Sequence, residues 1–159
     1  MSTADELHRH GVTAFERGDM DAALDALSEA VALDGARADI HGDLAVIAHR
    51  AGRLELARAH FERALALAPD APRLNYNFAI LLRDLGQFSE AATYYAHAID
   101  GEPNFAPAHN NLGNVLKQLK HWDKAADSYR AAIAVAPDFA PAHRNLADLD
   151  ETLGRTDDA

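Results

Sequence analysis

The sequence predicts an all-α protein built from repeated antiparallel helix hairpins. Three observations carry that prediction. Pro69, Pro103 and Pro137 recur with a period of 34 residues, and one further period back stands Gly35. Two alanine series keep the same period: Ala23, Ala57, Ala91, Ala125 and Ala30, Ala64, Ala98, Ala132. Between these markers the apolar residues fall at helical spacing, and no β-branched run alternates with period two. A fixed period of this size belongs to stacked repeats, in which each unit buries its faces only against its neighbours.

The units divide into pairs of helices. In residues 72–105, Leu74, Phe78, Leu81, Leu82 and Leu85 form a first apolar stripe that Gly86 stops. Phe88, Ala91, Ala92, Tyr95, Ala98 and Ile99 form a second, ended by Gly101 and Pro103. In residues 38–71 the stripes are Ile40, Leu44, Ile47, Ala48, then Leu54, Ala57, Phe61, Ala64, Leu65, Leu67, with Gly52 between them. In residues 106–139 they are Leu112, Val115, Leu116, Leu119, then Trp122, Ala125, Tyr129, Ala132, Ile133, Val135. Lys120 takes the place of the turn glycine there, so the turn must take a conformation that a lysine tolerates, at some cost. The periodic alanines mark close helix crossings, where little more than a methyl group fits. Phe105 and Phe139 plug the joints between units, and Pro107 and Pro141 sit in the first turn of the following helix, where a missing N–H costs nothing.

Composition narrows the function. The chain has 159 residues, is 48% hydrophobic and 25% charged, and carries a formal net charge of −10. An acidic balance argues against nucleic acid or an anionic membrane as the main partner. Without cysteine, thiolate catalysis, disulfides and Cys-based metal sites are excluded. The N-terminus does not read as a signal peptide, and no apolar stretch approaches the roughly 20 residues of a membrane span. A cytoplasmic location is the expectation. Charge is uneven: residues 1–37 carry eight acids against Arg9, Arg17 and Arg37, whereas residues 106–139 are near neutral.

In these residues the chain resembles a tetratricopeptide repeat (TPR) array. Counted from Ala106, the family's signature positions read His109, Leu112, Gly113, Leu116, Lys120, Trp122, Ala125, Tyr129, Ala132 and Pro137. From Pro72 they read Asn75, Phe78, Ala79, Leu82, Gly86, Phe88, Ala91, Tyr95, Ala98 and Pro103. From Ala38 they read His41, Leu44, Ala45, Ala48, Gly52, Leu54, Ala57, Phe61, Ala64 and Pro69. The unit from Ala4 departs most, with His10 where the others carry Leu or Phe and Gly35 where they carry Pro. The resemblance implies a right-handed α-solenoid of four repeats, 4–37, 38–71, 72–105 and 106–139, forming one array with a terminal helix over 140–153 and a tail over 154–159. That last segment reads either as a capping helix or as the start of a fifth repeat, with Arg155 to Ala159 opening its second helix.

The resemblance also implies where a partner binds, because first helices of such repeats line a concave groove. Mapped here, the groove holds Arg73, Tyr76 and Asn77, then Asn110, Asn111, Asn114 and Lys117, then Arg144 and Asn145. Asn77, Asn111 and Asn145 share one repeat position. A primary amide both donates and accepts, so a row of amides suits the main chain of an extended peptide. The row is similar to the asparagine ladder of O-linked N-acetylglucosamine transferases; the alternative is that asparagine is simply common at this position. The residues that clamp chaperone-tail carboxylates in another TPR subset have no counterpart here.

The expected function is therefore a protein-interaction module that takes an extended peptide or partner helix, with no catalytic constellation, no cofactor and no metal. His41, His109 and His143 lie one per unit, too far apart for one ion, and read as packing. Two alternatives stay open: a substrate-recruiting N-terminal part of a larger glycosyltransferase or sulfotransferase, and a scaffold that self-associates through its C-terminal end.

Overall fold

The computed structural model describes residues 3–154. Helices follow one another as α1 (Thr3–Glu16), α2 (Met20–Leu33), α3 (Ala38–Arg50), α4 (Leu54–Leu67), α5 (Pro72–Asp84), α6 (Phe88–Gly101), α7 (Ala106–Gln118), α8 (Trp122–Val135) and α9 (Ala140–Thr152). Among the described residues there is no strand. Each helix has 13 or 14 residues, close to the roughly 14 that the spacing predicts. The segment expected to open a further helix, 155–159, lies outside the described residues. Through Leu81 the chain forms one compact unit, and from Leu82 a second, so the division falls inside α5.

The turns within the hairpins share one device. Gly18, Gly52 and Gly86 take positive φ values of 83°, 74° and 75°, and Lys120 takes 61°. The residue after each of these donates its N–H five residues back: Asp19 to Ala14, Arg53 to Ala48, Gln87 to Leu82, His121 to Leu116, at 2.8–2.9 Å. This is the left-handed helix ending that satisfies otherwise orphaned carbonyls. Lys120 thus takes the same left-handed conformation as the turn glycines, at the cost expected for a side chain there, since the chain reverses whatever residue occupies the site.

A second device joins successive hairpins. His109 Nε2 lies 2.8 Å from the carbonyl of Pro103, and His143 Nε2 lies 2.6 Å from that of Pro137. Asn75 Nδ2 reaches Pro69 O at 2.8 Å, and His41 Nε2 reaches Gly35 O at 3.3 Å. After the first repeat, each following repeat and the terminal helix carry one such side chain in the first turn of a helix, which donates six residues back and fastens the incoming loop. These histidines are clips between helix and loop, not merely packing groups.

The periodic alanines of both series are fully buried. In the first unit Phe61 packs on Phe78, with ring centroids 5.7 Å apart. In the second, Ala125, Ala126, Tyr129 and Leu149 form a core that Leu116, Trp122, Leu146 and Leu153 border. One sequence expectation is corrected. Leu85, placed in the apolar stripe of α5, lies just past the helix and is 38% exposed. The reversal at Gly86 carries it out of register with the buried face.

Candidate interaction face

In the first unit the candidate residues Arg73, Tyr76 and Asn77 lie on α5; Arg73 is exposed, and Tyr76 and Asn77 are half-buried. Neighbouring first helices are tied across the same side. His8 Nε2 of α1 meets Asp43 Oδ2 of α3 at 2.6 Å. Arg37 bridges Asp5 at 2.9 Å and Asp39 at 2.6 Å, which holds the Asp39 carboxyl below the usual carboxylate range. The Arg50 guanidinium lies 5.1 Å from the centre of the Phe15 ring. Gly42 leaves space that Leu74 of α5 fills: a Cβ there would fall 2.5 Å from Leu74 Cδ2.

In the second unit the structure brings four predicted residues together. Asn145 Nδ2 of α9 donates to Asn110 Oδ1 at 2.9 Å and to Asn114 Oδ1 at 3.1 Å, both on α7. Asn110 Nδ2 approaches Asn111 Oδ1 at 3.4 Å. The hydroxyl of Tyr129 on α8 donates to Asn114 Oδ1 at 2.9 Å. Burial, and then the charge of Asp148, push the Tyr129 phenol up to about 12, so it stays a donor at neutral pH. Lys117 is half-buried, one turn beyond Asn114, and Arg144 is exposed beside Asn145. No hydrogen bond draws these two into the amide cluster.

Sequence reasoning missed the pairing rule. His8 with Asp43 and Asn110 with Asn145 are each 35 residues apart. A residue in one first helix meets the residue one place further on in the next. The signal was present as an offset of one period plus one, but only stacking shows that those two places face each other. Tyr129, read as packing alone, also orients Asn114 through its hydroxyl.

Ser28 and Ser128 donate to the carbonyls of Leu24 and Lys124, one turn back on their own helices. Among the described residues no group of three or more His, Asp or Glu side chains is placed to hold a metal ion, and no helix is long and apolar enough to cross a membrane.

Comparison with known proteins agrees with the fold. No curated protein matches the chain in sequence. Solved structures resemble it closely in fold. MamA residues 41 to the end from Desulfovibrio magneticus RS-1 superposes with a TM-score of 0.90 at 18% identity, over 97% of this chain and 87% of that one. The pilF protein of Pseudomonas aeruginosa gives 0.86 at 23% identity, over 96% and 70%. A tetratricopeptide repeat protein from Parabacteroides merdae ATCC 43184 gives 0.88 at 22%, over 96% and 61%. At these identities the likeness shows the fold alone. Three family models described as tetratricopeptide repeat match residues 8–72, 48–112 and 106–139. With the period, the buried alanines and the hairpins all in the same phase, the chain belongs to the tetratricopeptide repeat family.

Proposed function

We propose that this chain is a protein-interaction module, and that its α7–α9 face binds the main chain of an extended peptide. The observation that carries the reading is what the amide cluster leaves open. Asn145 uses Nδ2 twice within the cluster, which leaves its Oδ1 as an acceptor. Asn114 uses Oδ1 twice, which leaves its Nδ2 as a donor. Neither of these two atoms is sealed from solvent. One donor and one acceptor, held on neighbouring helices, match the C=O and N–H that an extended peptide presents on one edge. Because the cluster already fixes both amides, little rotamer entropy is lost on binding.

The interlocking refines the ladder read from the sequence. Asn145 and Asn110 brace the face, and Asn114 with the Asn145 carbonyl makes the contact. Lys117 and Arg144 flank it and set charge preference. In the first unit Arg73, Tyr76 and Asn77 of α5 offer a separate face of the same kind. The chain acts by binding.

The test uses a random library of unstructured peptides and the tightest binder it yields. Asn114→Asp keeps both bonds accepted at Oδ1 but puts a negatively charged acceptor oxygen where the Nδ2 donor stood. Its expected effect is an affinity loss of about tenfold, or about 1.4 kcal/mol, with an unchanged melting temperature. N-methylation of one peptide bond in the binder should match that loss. Unchanged affinity in both cases rules out main-chain recognition at this face.

A further inference from the structure

We propose that the contact between His41 and His60 is a proton-sensitive latch on the α3–α4 hairpin, closed while one ring is neutral and opened when both are charged. His41 is 5% exposed, and its Nδ1 lies 2.8 Å from His60 Nδ1, with ring centroids 5.0 Å apart. Its other nitrogen faces the carbonyl of Gly35, which can only accept. The proton of neutral His41 therefore sits on Nε2, and His41 Nδ1 is a lone pair. His60 must then donate from Nδ1. One added proton is tolerated, since His41 can donate from Nδ1 once His60 shifts its own hydrogen to Nε2. A second is not, because both rings would then point N–H groups at each other.

The surroundings give the dication little relief. From α4, Arg63 brings its guanidinium within 3.4 Å of the same Gly35 carbonyl. In the loop, Asp34 already accepts from the backbone of Ala36. At the start of α3, Arg37 is matched by Asp39 and by Asp5 of α1. Burial, and then the His41 ring, hold His60 below its ordinary value of 6.5. The unfolded chain therefore takes up this proton first. The contact contributes stability above pH 6.5, and that contribution is lost as the pH falls through the lower folded value.

The chain supplies its own controls. Asn75 occupies the equivalent place one repeat on and fastens its loop without a titrating ring, and Ser128 is the counterpart of His60 two repeats on. Imidazole nitrogen resonances and amide hydrogen exchange, corrected for intrinsic rates, would be followed from pH 8 to 5 in the whole chain. At pH 8 His60 should carry its proton on Nδ1. Below pH 6.5 exchange should rise at 35–41 and 58–62. In His41→Asn, the His60 titration should move up toward its ordinary value, the effect of burial remaining, and the acid-induced exchange should disappear. His60→Ser should also abolish it, which keeps the test sound if one variant folds poorly. An Nε2-protonated His60 at pH 8, or a His60 titration unchanged by His41→Asn, would overturn the latch.

Discussion

Lys120 shows how far a single residue bends to the fold. Its φ of 61° puts an L-residue in the left-handed region, where its counterparts Gly18, Gly52 and Gly86 carry no Cβ. The strain of that region is about 1–2 kcal/mol for an ordinary side chain, and part of it is offset because glycine loses more freedom on folding. Lys120→Gly should stabilise the protein by about 0.5–1 kcal/mol in urea unfolding. Destabilisation by this change would mean that the lysine side chain makes a compensating contact. This position was legible in the sequence because the turn is local: the period alone marks where the chain reverses. The Asn145 contacts were not, since its two acceptors are 31 and 35 residues away on another helix.

Between helices, close approach decides which residues are allowed. A Cβ on Gly113 of α7 would stand 2.5 Å and 2.6 Å from two ring carbons of Tyr129 on α8. That ring is fully buried, and its hydroxyl is fastened to Asn114, so it has nowhere to go. Gly113→Ala should cost about 1–2 kcal/mol, the overpacking penalty less the helix propensity that alanine gains. Gly42→Ala meets only the end of the Leu74 side chain, which is half-buried and can rotate. There the propensity gain of about 1 kcal/mol roughly cancels the crowding, and stability should stay near wild type. Equal losses in the two variants would refute the difference in neighbours. Sequence showed that small residues are needed at such crossings. It did not show that Tyr129 also anchors an amide, because core position and hydroxyl partner follow from different elements.

For the whole chain, the latch gives acid an uneven target. The His41–His60 contact lies in the first compact unit. In the second, His109 and His143 donate from Nε2 to carbonyls, and that bond survives protonation of the ring. Trp122 is the single tryptophan and belongs to the second unit. Thermal unfolding followed by far-ultraviolet circular dichroism and by Trp122 fluorescence should coincide more closely at pH 8 than at pH 5, with dichroism falling first in acid. Transitions that shift together would mean that the chain unfolds as one cooperative body.

The sequence by itself determined the all-α class, the phase of each hairpin, the buried alanines and the turn at Lys120. These follow from properties that repeat along the chain, since period and local backbone preference do not depend on what a helix meets. Only the tertiary structure decided which amides hydrogen-bond one another, which histidines clip a loop, and that His41 and His60 meet ring to ring. Those outcomes depend on side chains from separate helices meeting within hydrogen-bond distance, and stacking alone brings them there.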